Sequence, residues 1–205
     1  MPAIATTADG AYIYMALQDD DGFQVIVSAG RPASADDAMS FAAVYAPGAG
    51  TAGNVATVPS DADKMLFYGY FGSGIQVLMH TVSTGAEVNI SPAGLTTKVV
   101  NSLQVNPSNA DEILITVDTN QDLLLTVDGG TIWTTLNAAL STNPTAMKTF
   151  WSGDYGPGMA YIAGNTGAAE LLLWTPNDGS EVADIAGATL GAVTNIIGVE
   201  GVQTL

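Results

Sequence analysis

Hydrophobic positions along this chain come in short bursts rather than at helical spacing. Ala11–Leu17, Phe23–Val27, Met65–Tyr70, Ile75–Met79, Glu112–Val117, Asp122–Val127, Met159–Ala163 and Glu170–Trp174 are the clearest, each five to seven residues long. They are rich in β-branched, aromatic and leucine side chains and are bounded by Gly, Asp, Asn or Pro. That combination predicts β-strands closed by tight turns. Within a burst the apolar character is nearly continuous, which points to strands covered on both faces.

The bursts are paired, and the pairs recur. The second member of each begins at Phe23, Ile75, Leu123 and Leu171, at steps of 52, 48 and 48 residues. A weaker strand flanks each pair on either side. In the third repeat these are Val99–Val105 and Thr131–Leu136. Four short antiparallel strands per repeat describe the blade of a β-propeller. A lone four-stranded blade cannot bury both faces, whereas blades stacked about an axis bury each other's. The expected fold is all-β: a single propeller domain over 1–205, with blades at about 2–50, 53–94, 97–141 and 145–190. Residues 193–202 read as one further strand. It either closes the ring against the N-terminal blade or belongs to an open ring completed by another chain. A β-sandwich or jelly roll, which also uses many short strands, is the competing architecture.

The third repeat carries the most defined motif. Residues 105–136 include Thr126, Asp128, Gly130 and Trp133 in the spacing Thr-x-Asp-x-Gly-x-x-Trp, after an Asn106-Pro107 turn. This stretch resembles the Asp-box repeat of the BNR, sortilin and sialidase-type propellers. It departs from the pattern at Ile132, where that family usually has Thr. The resemblance is degenerate in the other repeats. It implies a structural hairpin on the outer rim, remote from any active site. In physical terms, Asp128 can cap backbone N–H groups of the turn, Gly129 and Gly130 supply positive φ, and Trp133 packs between blades.

Composition narrows the functional classes. Twenty acidic residues against four basic ones give a net charge of −16, which repels phosphate backbones and excludes nucleic-acid binding through a basic surface. With no cysteine, disulfides, thiolate metal sites and cysteine nucleophiles are excluded. No apolar run reaches the roughly 20 residues of a membrane-spanning helix, so no membrane insertion is expected. The N-terminus lacks the basic and apolar segments of a signal peptide.

Candidate chemistry is sparse. The sialidases among the resembling proteins hold a substrate carboxylate with three arginines, and this chain has only Arg31. Lys64, Lys98 and Lys148 do not cluster in sequence. His80 is the single histidine. With no second histidine and no Gly-x-Ser-x-Gly elbow, it reads as a packed or rim residue. The carboxylates fall mainly in turns, which fits solvation and turn chemistry, although two of them would suffice for a glycosidase. The runs Asp19–Gly22 and Asp118–Asp122 alternate oxygen ligands, but neither continues into a calcium loop, so no metal or other cofactor is expected. Tyr12, Tyr14, Tyr68 and Tyr70 are spaced by two, which puts their rings on one face; core packing between blades explains that spacing better than a sugar-binding groove, which Phe71 and Trp151 would extend. Trp151 and Tyr155, in a Gly-rich stretch, are the candidate surface binding residues.

Scarce lysine with abundant Thr, Ala, Gly and Asn resembles virion and extracellular β-proteins. The expected function is a non-enzymatic structural or interaction module. Its partners would be protein, through homo-oligomers or a larger assembly such as a phage virion, and it would work in the virion or outside the cell. The alternative is an extracellular glycan-binding protein or glycosidase.

Overall fold

The computed structural model describes residues 3–19, 22–28, 40–45, 53–71, 74–95, 100–117, 122–135, 146–151, 160–165, 169–174 and 182–184, the last four segments as backbone. They form four four-stranded antiparallel sheets, and no α-helix occurs among them. The sheets fall into two compact units, Met1–Val99 and Val100–Leu205. The expected strand at 193–202 lies outside the described residues, as do Arg31 and Lys98.

In the first unit, one sheet comprises β1 (Ala3–Thr6), β2 (Ile13–Asp19), β3 (Gly22–Ser28) and β4 (Phe41–Tyr45). The next comprises β5 (Gly53–Thr57), β6 (Lys64–Phe71), β7 (Gly74–Thr81) and β8 (Ala86–Asn89). Both are simple meanders, each strand pairing with its sequence neighbour. Strand periodicity sends alternate side chains to opposite faces. One face of the first sheet therefore gathers Ala3, Ala5, Tyr14, Ala16, Val25 and Val27. It packs against Val55, Met65, Phe67 and Leu78 of the second sheet in one hydrophobic cluster. The first strand of the second sheet, β5, runs beside β1 and β2, and the Thr57 hydroxyl donates to the Thr6 carbonyl across the seam at 2.7 Å. Burying a side chain the size of Phe67 or Met65 stabilises the stack by about 1.5–3 kcal/mol each.

The second unit repeats the plan with β9 (Val100–Asn106), β10 (Asn109–Val117), β11 (Asp122–Thr126) and β12 (Thr134–Thr135), then β13 (Ala146–Trp151), β14 (Ala160–Asn165), β15 (Ala169–Trp174) and β16 (Val182–Asp184). Leu103, Val105, Ile113–Ile115, Val117 and Leu123–Leu125 are buried there. Ile113, Leu114 and Ile115 are successive in one strand, so both faces of β10 are covered, as its unbroken apolar run requires. Here β13 lies beside β9 and β10, the same relation that β5 bears to β1 and β2. Relative to the sequence reading, β2 starts at Ile13, so Tyr12 belongs to the preceding turn. Among the described residues the fourth strand of the third sheet is Thr134–Thr135, and Leu136 of the expected strand lies outside them.

Candidate functional site

Polar groups inside the first unit converge on His80. Strand β7 places it on the same face as Leu78, toward the first sheet, and register sets it between Met65 of β6 and Glu87 of β8. From the opposite sheet, β2 presents Tyr14 through the same alternation that buries Ala16. Tyr14 and His80 are each 1% exposed. The Tyr14 hydroxyl lies 3.3 Å from His80 Nε2, and His80 Nδ1 lies 3.0 Å from Glu87 Oε1. Phe67 stacks on the imidazole at a centroid distance of 4.9 Å and an interplanar angle of 25°, while Tyr14 meets it edge-on at 5.6 Å.

This geometry fixes how the chain is wired. The Glu87 carboxylate only accepts, so Nδ1–H donates to it; in the neutral imidazole Nε2 is then left to accept from the Tyr14 O–H. Tyr14 must stay protonated to donate. Its environment enforces that: burial first, then the neighbouring Tyr12 and Asp63, push its pKa up to about 12. Burial likewise raises that of Tyr68. The result is a Tyr–His–Glu relay joining two sheets, closed to solvent at the tyrosine end and half-open at the glutamate.

A second set of polar groups wires the turns. In the third sheet the Thr126 hydroxyl donates to Asp128 Oδ1 at 2.8 Å and accepts from Gly130 N–H at 2.9 Å. Asp128 Oδ1 also accepts from Ile132 N–H at 2.9 Å. Gly129 and Gly130 take φ of 69° and 93°, and Gly129 N–H donates to the Asp111 carbonyl. Hydrogen bonds from Ile132 N–H and Thr126 hold the Asp128 carboxyl below its usual pKa. Trp133 is half-buried.

The β1–β2 turn repeats the threonine-to-aspartate bond, which the sequence reading missed. Thr7 donates to Asp9 Oδ1 at 2.7 Å and accepts from Tyr12 N–H, while Asp9 Oδ1 accepts from Ala11 N–H. The bond from Thr7, then that from Ala11 N–H, lowers the Asp9 pKa. The signal was present: Thr7-Ala8-Asp9-Gly10 and Thr126-Val127-Asp128-Gly129 are both Thr-x-Asp-Gly. The second sheet varies the theme. Asp63, in the β5–β6 turn, accepts from the backbone N–H and hydroxyl of Ser83 at 2.7 and 2.8 Å, and its carbonyl accepts from Val82 N–H. Asp111 plays the same backbone role toward Gly129.

Of the candidate binding residues, Trp151 ends β13 opposite Ala160. Its side chain lies outside the described residues, as does Tyr155. The two Asp-rich runs considered for calcium fall largely outside them too. Among the described residues no group of three or more His, Asp or Glu is placed to hold a metal ion. No described helix is long and apolar enough to cross a membrane.

No family model matches the chain, and no curated protein matches it in sequence. Solved structures do resemble it. A GH74 enzyme from Niastella koreensis aligns with a TM-score of 0.56 at 13% identity, over 84% of this chain and 28% of that one. A structure from a study of two prolyl endopeptidases gives 0.62 at 13%, over 89% and 26%. A candidate 6-phosphogluconolactonase from Bacteroides uniformis gives 0.54 at 14%, over 89% and 55%. This chain thus spans from about a quarter to just over half of the proteins it resembles. The first two are propeller-type proteins, and at such identities the likeness bears on fold alone.

Proposed function

We propose that the chain is a non-enzymatic structural or interaction module, a propeller-type scaffold whose four-stranded sheets are blades. It associates with itself or forms part of a larger assembly such as a phage virion. The observation that carries this reading is the state of His80. The single histidine is buried, stacked on Phe67 and hydrogen-bonded at both nitrogens. A general acid or base needs a face toward substrate, and this one joins two sheets instead. Asp9, Asp63 and Asp128 are likewise engaged by their own or adjoining turns. The Thr126–Trp133 segment serves in this reading as an Asp-box hairpin that stiffens the rim.

Light scattering over a concentration series tests the proposal. A mass that rises above 20.9 kDa with concentration is the expected result. A monomer at every concentration, with no stable partner recovered from assembled particles, would refute it. The second reading is an extracellular glycan-binding protein or glycosidase, for which two suitably separated carboxylates would suffice. A glycan array with a broad chromogenic glycoside screen separates the two, since any turnover or specific binding selects the second.

A further inference from the structure

We infer that Tyr14 is a redox-active tyrosine: a one-electron oxidant acting on the first unit draws its electron from Tyr14, whose hydroxyl proton passes to His80 Nε2. This activity goes beyond the scaffold role proposed above and does not depend on it.

The step balances within the relay. One electron leaves the phenol for the oxidant, the Oη–H bond of Tyr14 breaks, and an Nε2–H bond forms on His80. What remains is a neutral tyrosyl radical beside an imidazolium. Reduction by one electron returns the proton along the same hydrogen bond. Stripping an electron from a phenol makes its hydroxyl strongly acidic, so a base already aligned on that proton lowers the cost of oxidation. Here the accepting nitrogen stands 3.3 Å from the hydroxyl oxygen.

The surroundings stabilise the product. The imidazolium keeps its Nδ1–H on the Glu87 carboxylate at 3.0 Å, so its new charge is paired. Phe67 stacks on the same ring at 4.9 Å and sets an aromatic face against it. The radical itself carries no charge, so burial at 1% exposure penalises it little and shields it from reactants in solution. A hydroxyl pKa of about 12 keeps the proton on Tyr14 until the electron leaves. Tyr12, 38% exposed and close enough to act electrostatically on Tyr14, gives the electron a route to the surface. Tyr68 is the internal contrast. Burial alone raises its pKa, and among the described residues no base is placed on its hydroxyl.

Flash photolysis of the full chain in mildly alkaline buffer tests this, with a photo-oxidised ruthenium polypyridyl complex as the one-electron oxidant. The radical is followed by absorption and electron paramagnetic resonance, in variants whose circular dichroism matches wild type. Wild type gives a long-lived tyrosyl signal whose formation slows in heavy water, because electron and proton leave together. Tyr14→Phe loses that signal. Glu87→Gln, which withdraws the countercharge from the imidazolium, shortens its lifetime severalfold. Tyr68→Phe retains it in full. A signal equally long-lived in Tyr14→Phe places the radical on another residue and overturns the assignment. A lifetime unchanged in Glu87→Gln, or formation indifferent to heavy water, overturns the proton transfer to His80. Oxidation that yields only tryptophan radicals overturns both.

Discussion

Tyr14→Phe removes one hydroxyl from the interior and leaves the ring in place. Packing against Phe67, with centroids 5.9 Å apart, survives. What is lost is the donor to His80 Nε2, in a site with essentially no solvent. An orphaned buried acceptor costs about 1–3 kcal/mol, reduced somewhat because a polar hydroxyl no longer has to be desolvated. A net loss of about 1–2 kcal/mol is expected, or about 2–8 °C in melting temperature for a chain of this size. Trp133, Trp151 and Trp174 all lie beyond residue 100, so far-UV circular dichroism is the suitable signal for the first unit rather than tryptophan fluorescence. A double-mutant cycle sharpens the test. Glu87→Leu removes the acceptor that fixes Nδ1–H, freeing the imidazole to turn its proton to Nε2 and donate to the Tyr14 oxygen. The double variant should therefore differ from the sum of the single ones by at least about 0.5 kcal/mol, as groups sharing one network do. Tyr14 also adds a pH signature. Its hydroxyl ionises near pH 10 when unfolded and near 12 when folded, so the stability it contributes is present below pH 10 and lost as pH rises toward 12. The gap between wild type and Tyr14→Phe should narrow over that range. A neutral or stabilising Tyr14→Phe, or strict additivity with Glu87→Leu, would refute the relay.

Two further predictions concern the turns. Gly129→Ala should destabilise more than Gly10→Ala in thermal melts. Both have φ near +69°, so each bears the roughly 1–2 kcal/mol left-handed penalty, but a Cβ at 129 also meets Asp111 Oδ1 at 3.2 Å, whereas at 10 it meets nothing within 4 Å. Equal losses would show that Asp111 yields freely. Carboxyl NMR titration should find Asp9 and Asp128 both below 3.8. A folded pKa below the unfolded one contributes stability above about pH 4 that is lost as pH falls through the folded value. Asp128→Asn should flatten that acid limb, and an ordinary pKa for Asp128 in the wild type would contradict the turn wiring.

Much of the architecture was legible because strands and turns announce themselves locally. The burst Ile113-Leu114-Ile115 is apolar at every position, and the strand is covered on both faces. The bursts beginning at Ile75 and Leu123 each became the strand that pairs with the one before it, joined to it by two and four residues respectively. Edge strands were harder to read. The described residues of β12 are both exposed threonines, so nothing in their hydrophobicity marks them as strand. Phe41 and Val88 sit on outer strands and stay exposed, showing that an apolar residue in a strand need not be core.

The polar network was not legible, and the reason is geometric. Tyr14 and His80 are 66 residues apart, and no local pattern couples them. Their meeting depends on two sheets stacking with one particular face inward, which alternation alone leaves undecided when both faces are apolar. A tyrosine, a histidine and a glutamate in three strands carry no spacing signature of the kind that marks a metal site or a nucleophile elbow. The turns are the opposite case. Thr7 and Asp9 lie two residues apart, as do Thr126 and Asp128, and each pair makes the same threonine-to-carboxylate bond. Yet one closes the first and second strands of its sheet and the other the third and fourth. The motif therefore encodes a turn, not a position in the sheet. Aligning repeats by strand order hides the match, whereas aligning them by turn chemistry reveals it.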